Sequence, residues 1–390
     1  MAALVRSAAF YRQKAIVFDA VFCAPVDPPP DSDVGIVAAH PPPAVQHSGS
    51  SLPMVSIRSK AVDRCRAKTT KERSRSSLDS AASVRFTGSA SAIRSPKTQQ
   101  RRRMDEMVEI KHRETGQVLE RIDADTLAGA DLRDMQLNGA DLRNADLTGA
   151  NLESSDLVGA LLSGARLVDA ILVATDLTDA DLSSADLTQA HLGAERPSRA
   201  ATLNGSNLSQ ATLERADLRH ADIRRADLRG ANLGHADMRG TDFQGSNLCH
   251  VVAPKALFIR ANLRDANLCG ADLRDCHLND ANLAGASMHE ADLTSALPGG
   301  FTVINLANFE GADLRGSKLR SVSAQETNFR NANLTDVDLT NAVLGGAILR
   351  RADVTNADFS GVELASVTME FANFSKARNA VYPSYKKNLR

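Results

Sequence analysis

The sequence predicts an all-β solenoid, and three observations support that fold class. From Leu127 to Leu192 a leucine occupies every fifth position. The residue two places before each leucine is mostly small, and the residue directly before it is mostly Asp or Asn. A helix rotates by about 100° per residue and a strand alternates its faces at every residue, so neither element can bury residues spaced by five. The chain must therefore turn once in each pentad and stack its coils.

The position within a pentad predicts the environment of each residue. We call the leucine the centre of its pentad. Because an extended chain alternates its side chains, the residue two before the centre shares the interior, whereas the residue before the centre and the two after it point to solvent. This arrangement explains why Ala and Leu recur at some positions and Asp, Asn, Arg, Ser, Thr and Gly at others. The absence of Trp and the presence of only 3 Tyr suit a narrow solenoid better than a globular enzyme.

The tandem motif A(D/N)LXX, as in ADLRDMQLNGADLRNADL from Ala130 to Leu147, resembles the pentapeptide-repeat family. The resemblance implies a right-handed quadrilateral β-helix with about 20 residues per coil, over about two thirds of the chain. Centres run from Leu127 to Leu192, from Leu203 to Leu293 and from Ile304 to Phe374, which gives 48 pentads. These pentads predict about 12 coils and, at a spacing of about 4.8 Å, a rod roughly 58 Å long.

Residues 1–103 differ from the repeats in composition and charge. They are rich in Ser, Pro, Ala and Arg and carry 17 basic against 7 acidic residues, whereas residues 104–390 carry 29 against 40. Such a composition predicts a disordered, basic region. The stretch 1–18 contains Arg6, Arg12 and Lys14 and no acid, so it resembles an organelle transit peptide for a plastid or mitochondrion. The alternatives are a disordered tail on a cytoplasmic protein, or upstream sequence wrongly included, because Met104 would start a self-contained protein.

Both ends of the solenoid are predicted to be covered. Residues 104–124 read as a β-hairpin about Gly116, because two short strand-like segments flank a Glu-Thr-Gly-Gln turn. This hairpin would cap the unpaired edge and the bare leucines of the 125–376 β-helix. Residues 377–390 are predicted to form a C-terminal cap and a basic tail. A homodimer through the C-terminal coil is the alternative arrangement of that end.

The repeat changes register twice, and proline accompanies each change. Leu192 and Leu203 lie eleven positions apart, as do Leu293 and Ile304, and we interpret each interval as two pentads plus one inserted residue. A weak pentad at Ala253 is also followed by proline. With four sides to a coil, this count puts all three irregularities on one face. Because proline belongs at bulges and loops, and loops on a rigid scaffold carry binding residues, this face is predicted to contact a protein.

The sequence thus predicts a set of protein-contact residues but no site for catalysis or ligand binding. The predicted contact residues are Arg196, Pro197, Arg199, Pro254, Lys255, Arg260 and Pro298. Insertions that the solenoid tolerates without any role are the alternative explanation. No catalytic, cofactor-binding or metal-binding residue is predicted.

The residues that carry chemistry in enzymes do not converge in this sequence. No phosphate loop, nucleophile elbow or HExxH motif occurs, and the many Asp residues are explained by their fixed place before a centre. His220, His235 and His250 recur at every third pentad, which places them on three different faces. Arg219 and Arg239 stack one coil apart, as do the Asp residues two before them, so they are predicted to form exposed ion pairs worth about 0–1 kcal/mol each.

The chain has five cysteines, at positions 23, 65, 249, 269 and 276, without the spacing of a metal site. Cys249 and Cys269 each follow a centre and lie four pentads apart, so their Cα atoms are expected about 5 Å apart, within disulfide range. Two free thiols are the favoured state, and a disulfide is the alternative. Cys276 occupies the small inward position of its pentad and is predicted to lie in the core.

These observations favour a non-enzymatic scaffold that presents a rigid surface for protein–protein interaction with an unidentified partner protein. The alternative, taken from relatives that resemble a DNA duplex, is a DNA-mimicking inhibitor of a type II topoisomerase. Residues 125–375 carry 21 basic and 34 acidic residues, whereas a duplex of about 58 Å carries about 34 negative charges, so the match is poor. DNA binding is not predicted. An enzyme built on the rod would lack a convergent site. The sequence also contains no run of about 18 apolar residues, the length needed to span a membrane.

Overall fold

The computed structural model describes residues 107–295 and 302–381. The regular elements are brief: β1 is Val108–His112, β2 is Val118–Ile122, β3 is Ala140–Asp141, and a 3-10 helix spans Pro197–Arg199. The repeats between them are held by single-residue bridges and turns. The N-terminal region predicted to be disordered, residues 1–103, lies outside the described residues, as do residues 382–390.

A hairpin precedes the first coil. Strands β1 and β2 pair antiparallel, with Val108 opposite Ile122 and an irregularity after Ile110. The turn between them contains Gly116 at φ +65°, a conformation that glycine adopts without steric cost. On its other edge β1 pairs with β3 in the first coil. Because Ile110 is also 1% exposed and belongs to the hydrophobic core, the hairpin covers the first coil.

The repeats form a right-handed quadrilateral β-helix, which confirms the predicted fold class. Parallel bridges join residues one coil apart, for example Asp131 to Asn151 and Asn151 to Ile171. The 48 pentads therefore make 12 coils of four sides. We number the sides by the centres of coil 1: side 1 contains Leu127, side 2 Leu132, side 3 Leu137 and side 4 Leu142. Later coils repeat this order.

Backbone hydrogen bonds between coils set the period of four pentads. The N–H of each centre donates to the carbonyl of the residue before the centre one coil later, as Leu132 does to Asn151 at 2.7 Å. The N–H of Asn151 in turn donates back to Ala130 at 2.9 Å. Within a pentad the next small residue closes the turn, as Ala140 does by donating to Leu137 at 2.9 Å. The N–H directly after the centre takes no part in this ladder.

Each corner of a coil requires one residue in the left-handed conformation. It is the second residue after the centre, and it has φ between +55° and +74° in 45 of the 48 pentads (30 non-glycine residues and 15 glycines). The pentads of Leu192, Leu293 and Leu364 lack it. Because this conformation is unfavourable for most L-residues, Gly, Asn and Asp recur at the corners. The corner conformation therefore explains the composition of the second position after the centre, for which the repeat pattern alone predicts only that it faces solvent.

The interior is a column of centres and small residues with little exposure. Leu228 and its counterparts are 0–5% exposed through most of the rod, and the small residues two before the centres are buried beside them. The centres Ala253 and Ala324 are each followed five residues later by phenylalanine, Phe258 and Phe329, in the same coil. A large ring beside a small centre keeps the volume of the layer filled, as close packing requires. Ala253 is therefore a packing variant and not a defect.

Outward carboxylates and amides stabilise the turns by accepting hydrogen bonds from the backbone. The Asp or Asn before a centre accepts the N–H of the residue after it, as Asp176 does from Thr178 at 2.9 Å. Where that later residue is Arg, its guanidinium also binds the same carboxylate. The predicted pairs are confirmed, with Arg219 2.8 Å from Asp217 and Arg239 2.6 Å from its own partner. Arg219 also lies 3.9 Å from Asp237, which links two coils.

Gly149 tests the steric requirement of the corner. It has φ +65°, and no other atom lies within 4 Å of where its Cβ would be. We therefore expect Gly149→Val to lower the free energy of unfolding by about 1–2 kcal/mol through backbone strain alone, and Gly149→Asn to lower it less. Asn138→Val, at the exposed position after a centre, is the control and should be nearly neutral. Urea unfolding measures all three; equal losses at Gly149 and Asn138 would contradict this explanation.

The carboxylate–guanidinium pairs predict how stability responds to acid. The side-chain hydrogen bonds from Arg229 and Arg315 lower the pKa of Asp227 and Asp313 below its usual value of 3.8. A carboxyl whose folded pKa is lowered stabilises the fold above its unfolded pKa, and that stabilisation is lost as pH falls through the folded value. We expect little change in stability from pH 6 to pH 5 and a steady loss below about pH 4.

The double variant Asp227→Asn/Asp313→Asn should lose less stability than the wild type over that acidic range, although it starts from a lower value at pH 7. Asp156→Asn is the matched control, because Asp156 also precedes a centre and accepts a backbone N–H, from Val158, but forms no ion pair with Lys or Arg among the described residues. Urea unfolding from pH 7 to pH 2.5 measures the slopes. Parallel curves for the wild type and the double variant would refute the role of these two pairs.

Candidate protein-interaction surface

The first register change is one side with a six-residue insertion. Bridges join Ile171 to His191 at the normal interval, but the next bridge joins Asp176 to Thr202, six positions beyond that interval. The centres Leu192 and Leu203 are therefore consecutive in coil 4, and no pentad lies between them. The interpretation as two pentads plus one residue is wrong. The eleven-residue interval advances the coil by only one side. Six of its residues leave the hydrogen-bond ladder at the corner, and the chain then rejoins the ladder in register.

This first insertion is attached to the coils on both sides of it. Arg199 forms an ion pair with Glu153, which lies in coil 2, and its carbonyl accepts the N–H of Ala174 at 2.8 Å. On the other side, Glu195 pairs with Arg219 at 2.7 Å. Pro197 begins the short 3-10 helix, as its fixed φ favours. Of the predicted contact residues in this insertion, Arg199 thus already has an internal partner, whereas Arg196 is exposed.

The second register change has the same length. Bridges join Asp272 to Asp292 at the normal interval, whereas the bridge from His277 to Val303 exceeds it by six positions, so six extra residues again follow one centre, Leu293. Six residues of this insertion, 296–301, lie outside the described chain, and the predicted contact residue Pro298 is among them. The described flank contacts the rod, since the Asp275 N–H donates to the Thr302 hydroxyl at 3.0 Å.

The three irregularities do not share one face, so the predicted alignment is wrong. Leu192 stacks on side 2 with Leu218 and Met238, whereas Ala253 and Leu293 belong to side 1. The miscount of one pentad at the first insertion shifts every later assignment by one side. The structure places the candidates at two neighbouring corners. Arg196, Pro197, Arg199 and Arg260 lie at the corner after side 2, and Pro254 and Lys255 lie at the corner before it.

The pentad at Ala253 is regular in its backbone. Leu233 donates to Val252 at 2.7 Å, Ala253 donates to Asp272 at 2.8 Å, and Lys255 has the usual corner conformation at φ +61°. Pro254 is compatible with this geometry because the residue after a centre contributes no N–H to the ladder. Its usual acceptor is missing as well, since Val252 replaces the Asp or Asn that would bind that N–H. Proline here marks a change of surface chemistry without a break in the helix.

Coil 7 carries a strip of apolar side chains on its outward positions. We call Val252, Pro254, Leu257 and Ile259 the apolar band; they occupy the positions before and after the centre on sides 1 and 2. Val252 is 43% exposed, and the other three are partly exposed. Coil 8 has Asp272, Arg274, His277 and Asn279 at the same four positions. Because these positions face solvent and make no contribution to the core, their apolar character requires another explanation.

Two cations lie within and beside the band. Arg260 is the corner residue after Ile259, its side chain is 78% exposed, and its ionic partner in the described chain, Asp280, lies 3.8 Å away. Lys255 lies at the corner between the two halves of the band and is exposed. Among residues 107–295 and 302–381, no carboxylate forms an ion pair with Lys255. A surface that combines exposed apolar side chains with cations suits a partner of complementary charge.

Sequence reasoning identified part of this surface and missed the rest. Pro254, Lys255 and Arg260 were predicted contact residues, but Val252, Leu257 and Ile259 were not. A signal is present in VVAPKALFIR, residues 251–260, where apolar residues occupy positions that are polar in the adjacent pentads. It is easily missed because an apolar run looks like additional core until each residue is assigned to the inside or the outside of its side.

Other parts of the described surface offer little for catalysis. A shallow groove of about 470 Å³ on side 3 is lined by residues of both charges, including Asp179, Arg225 and Asp265. Within the described ranges no three His, Cys, Asp or Glu side chains are arranged to hold a metal ion. His220, His235 and His250 lie at three different corners. The described residues also contain no helix that is long and apolar enough to cross a membrane.

Comparison with known proteins agrees with the repeat pattern. The family of pentapeptide repeats matches the chain in eight copies, over residues 126–164, 155–193, 199–234, 226–265, 261–297, 307–351 and 344–378. A search of curated protein sequences gave no significant match.

Solved structures of the same type resemble the chain in part. HetL, a pentapeptide repeat protein involved in heterocyst differentiation regulation from Nostoc sp. strain PCC 7120, is 29% identical, with 55% of this chain and 87% of that one covered and a TM-score of 0.31. Trypsin-treated QnrB1, a plasmid-mediated fluoroquinolone resistance protein, is 18% identical, with 62% and 89% covered and a TM-score of 0.28. A pentapeptide repeat protein of the Arabidopsis thaliana thylakoid lumen is 25% identical, with 31% and 66% covered and a TM-score of 0.16. These TM-scores are low, and the assignment depends on the repeats themselves: the chain belongs to the pentapeptide-repeat family.

Proposed function

We propose that this protein is a non-enzymatic scaffold whose apolar band binds a partner protein. The observation that carries the proposal is the replacement of four polar outward positions by Val252, Pro254, Leu257 and Ile259 in a coil whose backbone is regular. The fold does not need them there, because the neighbouring coils build the same sides with polar residues. Burying these side chains against a partner would remove apolar surface from water at about 25 cal/mol per Å².

The charges around the band indicate the chemistry of the partner. Lys255 and Arg260 are both exposed; in the described chain Lys255 forms no ion pair, and Arg260 pairs with Asp280 at 3.8 Å. Complementary charge at the rim of an interface speeds association and fixes its register. We infer that the partner presents apolar side chains flanked by Asp or Glu. Pentapeptide repeat proteins are generally structural or interaction proteins without enzymatic activity, which supports a binding role.

Inhibition of a type II topoisomerase by DNA mimicry is the weaker alternative. A duplex presents uncompensated phosphates, whereas many outward carboxylates here bind a guanidinium two residues later, as in the pair of Asp227 and Arg229 at 2.6 Å. We expect the full chain to leave the supercoiling activity of DNA gyrase and of a eukaryotic topoisomerase II unchanged in a gel assay. Inhibition at stoichiometric concentration would favour mimicry over the scaffold.

The apolar band can be removed with residues that the chain already uses. The variant Val252→Asp/Pro254→Arg/Leu257→His/Ile259→Asn copies coil 8 into coil 7, so its unfolding free energy should change by no more than about 0.5 kcal/mol per substitution. We expect the variant to lose at least one protein that the wild type retains in quantitative affinity capture. Lys255→Gln/Arg260→Gln should weaken retention of the same protein, and more so at low salt than at high salt.

A control variant separates this surface from general loss of hydrophobicity. Ile171→Asn/Val343→Ser removes apolar outward residues from side 2 in coils 3 and 11 and replaces them with the residues of neighbouring coils, Asn151 and Ser323. It should retain the protein that the band variant loses. If the wild type and both variants capture the same proteins in equal amounts, the apolar band is not the binding surface.

A further inference from the structure

Two cysteines and a histidine form a column on side 4, which adjoins side 1 at one corner and shares no residue with the apolar band. Cys249, Cys269 and His289 each directly follow a centre, in coils 6, 7 and 8. The ladder is continuous at this point, with the His250 N–H donating to the Cys269 carbonyl at 2.8 Å. Stacked coils lie about 4.8 Å apart, and the Cα atoms of a disulfide lie about 4.4–6.8 Å apart. Both thiols are free and partly exposed, so they are accessible to a small reagent.

His289 is held against the second thiol. Its Nε2 lies 2.8 Å from the Cys269 sulfur, and its Nδ1 lies 3.1 Å from the Ser287 hydroxyl. With its hydrogen on Nδ1, the imidazole donates to Ser287 and leaves Nε2 free to accept the thiol proton. The histidine is therefore oriented toward one cysteine of the pair by a partner on its own pentad.

The two thiols differ in their surroundings. Burial, followed by a hydrogen bond with Cys249 and the negative charge of Glu290, raises the pKa of Cys269 to about 11. Cys269 therefore remains protonated at neutral pH until a base removes its proton. Cys249 lies on the other side of the column, next to Arg229, which is itself bound to Asp227. Because His289 contacts Cys269, the histidine is assigned to the step in which Cys269 attacks, and the first attack on an external disulfide is assigned to Cys249.

We propose that Cys249 and Cys269 are a redox-active thiol pair that exchanges with low-molecular-weight disulfides such as oxidised glutathione, with His289 as the proton acceptor for Cys269. No metal ion or enzyme is required for this exchange. Its product is a covalent link between coils 6 and 7.

The exchange balances in two steps. Cys249 loses its proton to solvent, and its thiolate attacks one sulfur of oxidised glutathione; the S–S bond breaks, a mixed disulfide forms at Cys249, and the released glutathione thiolate takes up a proton from solvent. His289 then takes the proton of Cys269, whose sulfur attacks the Cys249 sulfur and releases the second glutathione. Two protein thiols are oxidised to one disulfide, and one glutathione disulfide is reduced to two glutathione molecules.

The test uses the full chain with Cys23→Ser/Cys65→Ser, so that only the three cysteines of the rod remain. After incubation with oxidised glutathione and EDTA, we expect a product about 2 Da lighter than the dithiol, since two hydrogens are lost. Trypsin separates Cys249, Cys269 and Cys276 into different peptides, and only the first two should be linked. Cys276 should stay reduced, because it is buried and burial raises the pKa of its thiol.

Variants test the order of attack and the role of the histidine. Cys269→Ser should trap a glutathione adduct on Cys249, whereas Cys249→Ser should abolish the link and form the adduct slowly if at all. His289→Gln should slow the conversion of the adduct to the internal disulfide by about 100-fold, the lower end of the usual range for general base catalysis, without changing the equilibrium. Serine is a conservative choice, since Ser209 occupies the same position in coil 4.

The outcomes that would overturn the proposal are equally specific. An absence of linked peptides at any glutathione ratio, or a link that involves Cys276, would exclude the redox pair. An adduct formed first on Cys269 would reverse the assigned order. An unchanged conversion rate in His289→Gln would remove the histidine from the mechanism. These results are distinguishable from a failure of the proposed binding function, because the variants leave Val252, Pro254, Leu257 and Ile259 unchanged.

Discussion

The ladder of backbone hydrogen bonds between successive coils is the interaction on which the rest of the structure depends. It uses the N–H groups of the centre, of the residue before it and of the corner residue, and it joins each to a carbonyl one coil away. In the regular coils four sides of five residues bring each of these donors opposite its acceptor. The centre and the small residue two before it must then be buried, since both point into the space that the ladder encloses.

The same ladder explains how the rod accommodates insertions. Additional residues cannot be distributed through a side without breaking the pairing of every later coil, so they leave at a corner and return in register. Both insertions follow this rule, with six extra residues after Leu192 and six after Leu293. The first is also fastened by Arg199 and Glu195 to neighbouring coils. An insertion in this fold is therefore a local addition to one corner.

Outward positions can vary in sequence because their side chains contribute little to the stability of the fold. An exposed ion pair such as Arg229 with Asp227 contributes modestly, and its residues can be exchanged for apolar ones without loss of the ladder. Outward residues can therefore form two kinds of surface pattern. A run in the sequence, such as the apolar band, wraps around one coil, whereas residues four pentads apart, such as Cys249 and Cys269, form a column along one side.

The five-residue spacing by itself determined that the fold is a solenoid and which residues point inward. Within each uninterrupted run of pentads it also determined which residues stack in columns, because the local geometry there is the same in every pentad. Cys249, Cys269 and the pairs of Arg219 and Arg239 could be placed in that way. The number of sides across a register change could not, since an interval of eleven is compatible with one side plus six residues or two sides plus one. Only the pairing between coils distinguishes the two counts, and it placed Leu192 and Ala253 on different sides. The contacts of Arg199 with Glu153 likewise depended on the tertiary structure, because an insertion has no periodicity from which its path could be read.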